Sequence, residues 1–151
     1  TPPKFHLGQG QTIASGSRIA LLVTGTKIPL ALLISQSLAE KKINPGIYAF
    51  PTIKPLDIKL LSKIAATYPT VVTLEEHRID GGFGTAVAEF ISSPQNPHSN
   101  KVIRCGLKHS FSHISGDYHS LLQHHGFTPK SIAESITASR TSMETVHQTP
   151  I

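Results

Sequence analysis

With 151 residues, 38% of them apolar, the chain has the size of one globular domain able to bury roughly 70% of its unfolded surface. Its formal charge of +5 rests on a charged fraction of only 15%. The basic residues are scattered, without the Lys/Arg stripe of a nucleic-acid binder, and the longest apolar run, Leu30 to Ile34, is far short of the roughly 20 residues of a membrane span. Neither nucleic acid nor membrane is therefore expected as a partner.

Residues 1–10 are polar or turn-rich and are expected to be loosely held. A short first strand is expected near Gln11 to Ser15, and "RIALLVT" (Arg18 to Thr24) has the pattern of a buried strand. After Gly25, Pro29 suits the first turn of a helix whose apolar face is Leu30, Leu33, Ile34 and Leu38, closed by Asn44-Pro45-Gly46. "IYAF" (Ile47 to Phe50) reads as the next strand, and Asp57 as the N-cap of a helix with Ile58, Leu61, Ile64 and Ala65 on its face. "TVVTL" (Thr70 to Leu74) predicts a further strand, followed by a loop and then a helix from about Phe83 that buries Val87, Phe90 and Ile91. A polar connection, Ser92 to Asn100, leads to the strand "KVIRC" (Lys101 to Cys105). Two short helices are expected at about 116–125 and 129–139, with Ser115 and Thr128 as N-caps and Gly126 as a stop. The domain is thus predicted over residues 11–139, with 140–151 as a loose tail.

Strand and helix alternating at this spacing predict right-handed βαβ units, a largely parallel sheet and helices on both faces. Cys105 is the only cysteine, so an internal disulfide is impossible, which fits a reducing, cytoplasmic setting. Met143 is the only methionine, so Thr1 is not a translational start and the chain is expected to be a processed product or a piece of something longer.

The stretch "VVTLEEHRIDGGFGTAVAEF" (Val71 to Phe90) carries the densest candidate chemistry. Glu75, Glu76, His77 and Asp80 follow a strand at the carboxyl edge of the sheet, where α/β proteins bind ligands. The amides of Gly81, Gly82 and Phe83 open a helix, a position that favours anions. Two other readings stand beside an acid/base or anion site: Gly81-Gly82 supplies a tight turn and close helix approach, and the acids and His77 face a neighbouring domain. His109 and His113 have helical i, i+4 spacing, but "LKHSFSHISG" lacks the glutamate of a zinc protease motif, so no metal site is expected. "GQG" and "VTGT" lack the remaining glycines of a dinucleotide fingerprint, and no GxSxG elbow occurs.

Together, "GQGQTIASGSRIALLVTGT", "TIKPLD", "VVTLEEHRIDGGFGTAVAEF" and "HSFSHISGDYHSLLQHHGFTPKSIAESI" resemble the C-terminal domain of transketolase-type, thiamine-diphosphate-dependent enzymes, over roughly residues 8–138. The resemblance implies a three-layer α/β/α sandwich with a five-stranded mixed sheet in the order 1-3-2-4-5, strand 1 antiparallel. Thr24, Gly25 and Thr26 would then lie across the switch point from Glu75 to His77. In such enzymes the diphosphate of the cofactor and Mg²⁺ are held by a separate N-terminal domain, and the activating glutamate belongs to a middle domain. This chain has no GDG…N magnesium motif, so no catalytic, cofactor or metal residue carries over. The resemblance implies the other domains, or a partner chain, as partners, and a homodimer in the full assembly.

Within the superfamily the ending "YHSLLQHHGFTPKSIAESI" resembles one that synthases share with transketolases, which transfer two-carbon ketol units between sugar phosphates, and a divergent or two-chain transketolase is the preferred reading. "LKHSF" (Leu107 to Phe111) departs from the acidic "LPDRF" of 1-deoxyxylulose-5-phosphate synthases. A synthase, a 2-oxo acid dehydrogenase beta subunit, and a stand-alone interaction or regulatory module are the alternatives.

Overall fold

The computed structural model describes residues 6–107, 123 and 127–146. Five strands form one sheet: β1 (Gln11–Ala14), β2 (Ile19–Val23), β3 (Gly46–Ala49), β4 (Thr70–Arg78) and β5 (Lys101–Leu107). Their order is β1-β3-β2-β4-β5, with β1 antiparallel to β3 and the other pairs parallel. Four helices are described: α1 (Ile28–Ala39), α2 (Ile58–Thr67), α3 (Phe83–Ile91) and α4 (Pro129–Val146). This is the α/β sandwich that the resemblance implied.

Every residue of β2 is buried because the strand is flanked by β3 and β4 and covered on both faces. Strand alternation divides its side chains between two cores. Ile19, Leu21 and Val23 join Ala31, Ile34 and Leu38 of α1 and Ile132, Ala133 and Ile136 of α4. Ala20 and Leu22 join Leu61 and Ile64 of α2 and Phe83, Val87 and Phe90 of α3. Each fully buried aliphatic side chain contributes about 1.5–3 kcal/mol of transfer free energy, so the central strand anchors both layers.

The polar punctuation fixes where elements stop. Asp57 accepts the Leu60 amide at 2.9 Å as the N-cap of α2, and Thr128 Oγ1 accepts the Ser131 amide at 3.2 Å at the start of α4. Asn100 Nδ2 donates to the carbonyls of Ala65 and Tyr68, both at 2.8 Å, so the connection before β5 closes the end of α2. Asn96 Nδ2 does the same for Ile91 of α3 at 2.9 Å.

Several sequence-based boundaries move. α1 ends at Ala39 rather than at Asn44-Pro45-Gly46, because Lys42 adopts φ 58° and the Ile43 amide folds back onto the Leu38 carbonyl at 3.0 Å. β4 runs to Arg78 instead of Leu74, since its extension pairs with β5 at Arg78↔Leu107 after a register shift. α4 continues past Ser139 to Val146; no glycine or proline intervenes before Pro150. Gly8 and Gly10, expected in a loose segment, are tied down: their amides donate to Thr52 Oγ1 at 3.0 Å and to Asp57 Oδ2 at 2.9 Å. Of the helix expected at 116–125, between Ser115 and Gly126, only Gln123 is described, and it is helical; His109 and His113 lie outside the described residues.

Candidate functional site

β2 and β4 are neighbours in the sheet, and each leads into a helix that covers the opposite face. The chain therefore diverges at their carboxyl ends, leaving a crevice at the switch point. One wall of that cleft, about 430 Å³ in volume, is the β2–α1 turn, Thr24, Gly25 and Thr26. Glu75 and Glu76 of β4 form the other, and Gly81, Gly82 and Ile53 complete the lining. Thr24, Gly25 and Thr26 thus line one cleft with Glu75 and Glu76.

The roles within the cleft differ from a free acid/base pair. Glu75, only 1% exposed, points at the start of α3. Its Oε2 accepts the Phe83 amide at 2.6 Å and its Oε1 the Gly84 amide at 3.1 Å. A carboxylate is thus already seated on the amides that open the helix, where the dipole and two of the orphan donors stabilise it. Glu76 reaches across the crevice to Lys27 at 2.5 Å; Lys27 is 7% exposed. The ion pair straps the β2–α1 turn to the end of β4. Coulombic attraction is stronger in this partly buried setting than at a surface.

The turn between β4 and α3 is held by Thr85, whose Oγ1 accepts the Gly81 amide at 3.1 Å and donates to the Ile79 carbonyl at 3.0 Å. Arg104 of β5 donates to the same hydroxyl at 3.3 Å. Gly81 has φ 75°, which only glycine adopts without strain, but Gly82 is extended at φ −93° and ψ −159°. The steric duty expected of Gly82 falls instead on Gly84: a Cβ there would sit 2.7 Å from Thr73 Oγ1 and 3.0 Å from Glu75 Oε1.

Of the other expected site residues, Asp80 is exposed on the turn and the Phe83 ring is fully buried against Phe50, centroids 5.4 Å apart. His77 lies in β4 by its backbone, and its side chain is outside the described residues. Sequence reasoning missed Lys27, which looked like an ordinary solvated lysine before α1, and Ile53. The latter sits in "TIKPLD", beside the cis Lys54–Pro55 bond, where the motif was visible but its reach into the cleft was not.

The cleft offers threonine hydroxyls and turn backbone beside two carboxylates that already have partners. Among the described residues no group of three or more His, Cys, Asp or Glu is placed to hold a metal ion. No described helix is long and apolar enough to cross a membrane.

Comparison with known proteins gives a consistent picture. The family described as "Transketolase, C-terminal domain" matches residues 8–132. A transketolase C-terminal section from Methanocaldococcus jannaschii is 36% identical over 132 residues, 87% of this chain and 40% of that protein. One of the subunits of an apulose-4-phosphate transketolase from Actinobacillus succinogenes is 32% identical over 87% of the chain and 42% of its own length. A 1-deoxy-D-xylulose-5-phosphate synthase from Pasteurella multocida is 37% identical over 70% of the chain and 16% of its own. The chain therefore spans less than half the length of each of these relatives. Among solved structures, a split-gene transketolase described as an inactive beta4 tetramer superposes with a TM-score of 0.80 at 26% identity, covering 93% of this chain and 44% of that one. Transketolase from Pichia stipitis shares the fold at a TM-score of 0.63 and 18% identity, over 87% of this chain and 18% of that one.

Proposed function

The chain belongs to the transketolase C-terminal domain family, and from that premise we propose that it is the non-catalytic section of a transketolase-like enzyme moving two-carbon ketol units between sugar phosphates. Its role is to pack against the thiamine-binding sections and to help build the dimer. Thiamine diphosphate and Mg²⁺ belong to those other sections.

The observation that carries this reading is the commitment of both switch-point acids to the fold. Glu75 fills the amide end of α3 and Glu76 straps Lys27. A carboxylate held by two amides has little freedom to shuttle a proton, and a helix end already occupied by an anion is a poor seat for a second. What remains is a shaped, rigid edge that suits contact with a neighbouring domain, with Thr24, Thr26 and Asp80 beside it. An anion or regulatory ligand at this edge would have to displace the internal carboxylate. The inactive tetramer formed by the related split-gene protein supports a section that self-associates without turning over substrate.

Coexpression of the chain with the thiamine-binding section of its own enzyme tests the proposal. The expected product is one complex by size-exclusion chromatography with light scattering, active in ketol transfer where neither section is alone. Separate elution overturns it. The synthase is a second reading, favoured by the 37% identity with the Pasteurella multocida enzyme; formation of 1-deoxyxylulose 5-phosphate by the complex, without ketol transfer, would establish it.

A further inference from the structure

We propose that the groove between residues 7–10 and the first turns of α2 is a docking surface for an acidic, leucine-bearing segment of a partner protein. This surface is separate from the switch-point cleft and does not depend on the function proposed above.

The groove has a volume of about 590 Å³. Leu7 and Ile58 line it while 69% and 41% exposed, so two large aliphatic side chains are open to a partner in the same groove. Lys59 and Lys63, one helical turn apart and both exposed, line the same groove. Asp57 is the single acid among its lining residues, and its two oxygens accept the Leu60 and Gly10 amides, each at 2.9 Å. That charge is directed into the helix start, so the charge presented outward is that of the lysines.

The groove is also preformed. Gly8 takes φ 74° and lies so close to Pro55 that a Cβ would meet its Cγ at 2.9 Å. The Gly8 amide donates to Thr52 Oγ1, which in turn donates to the Pro55 carbonyl, both at 3.0 Å. A rigid surface avoids the ordering cost that weakens flexible interfaces. Leu7 and Ile58 offer anchors to apolar side chains within a mixed polar and apolar lining, and the lysines select an acidic partner. Leu7 and Ile58 distinguish this occupant from a bare anion, which could use the lysines but not the aliphatic anchors.

The test uses the full chain and a fluorescein-labelled amphipathic peptide with leucines on one helical face and glutamates on the other. Fluorescence anisotropy should show saturable binding, with amide shift changes confined to residues 7–10 and 55–63. Binding should weaken by about tenfold or more in the double variant K59E/K63E, in Leu7→Ser, and with a peptide carrying glutamine for glutamate. Absence of saturable binding, unchanged affinity in K59E/K63E, or full competition by inorganic pyrophosphate would overturn the proposal. Leu7→Ser alters an exposed side chain, so it reports on docking even if the charge-reversed variant is poorly folded.

Discussion

Glu75 and Phe83 are joined by a buried hydrogen bond of 2.6 Å, in which a carboxylate from the end of β4 accepts the first amide of α3. The same carboxylate takes the Gly84 amide at 3.1 Å. Glu75→Ala leaves two donors at a buried helix start without their acceptor, a loss of about 1–3 kcal/mol for each group so orphaned. The variant should lose at least about 2 kcal/mol in urea unfolding. Glu75→Gln, which keeps one acceptor oxygen, should fall between it and the parent. A Glu75→Ala midpoint equal to the parent's would remove the cap from the account.

Gly84 touches this pair from the helix side. Gly84→Ala places a methyl group 2.7 Å from Thr73 Oγ1 and 3.3 Å from Arg104 Cδ, so overpacking should cost about 1–3 kcal/mol. Gly81→Ala should cost about 1–2 kcal/mol for a different reason, its φ of 75°. Gly82→Ala, at an extended backbone that any residue adopts, should cost less than either. Thermal melts of the three variants give the ranking, and a Gly82→Ala loss exceeding the Gly84→Ala loss would contradict it.

Thr73 is fully buried and its hydroxyl has no hydrogen-bond partner among the described residues. Thr73→Val keeps the shape and removes the orphaned group, whose burial costs about 1–3 kcal/mol. The variant should unfold at the same or higher urea concentration than the parent. Marked destabilisation would mean that the hydroxyl has a role in positioning Glu75, two residues along the same face of β4.

Cys105 and Tyr48 set the alkaline limit. Burial pushes the Cys105 thiol up from 9.0 to about 11. Between these values the unfolded chain has released the proton and the folded chain has kept it. The folded state binds more protons, so stability falls as pH rises through that window. Tyr48, raised by burial and then by its 2.8 Å bond to the Tyr68 hydroxyl, adds a loss of the same sign above 10.0. Urea midpoints measured from about pH 8 to about pH 10.5 should decline, and Cys105→Val should flatten the earlier part of the decline. A midpoint that rises across this range would be the wrong sign.

The layered fold was legible because local signals agreed: the apolar run of β2, the helical spacing of Leu61 and Ile64, and the Asp57 cap all point the same way. The strand order came from the family resemblance, since pairing is nonlocal. The site was legible as a location and not as an arrangement. "EEHR" reads as a loop because two acids and a histidine end an apolar run, yet Arg78 pairs with Leu107 beyond a register shift, and the strand runs through these residues. Gly81-Gly82 stands out as a pair, while Gly84, whose added Cβ would sit 2.7 Å from Thr73 Oγ1, looks like any small residue inside a helix. Lys27 could not be matched with Glu76 from sequence, since 48 intervening residues hide a contact that only the β2–β4 pairing creates.

In the function proposed, this section shapes an assembly whose cofactor lies elsewhere. Isothermal titration of thiamine diphosphate with Mg²⁺ into the isolated chain tests it most directly. No saturable heat is expected from the chain alone, and saturable heat is expected once the thiamine-binding section is present. Specific micromolar binding by the isolated chain would contradict it.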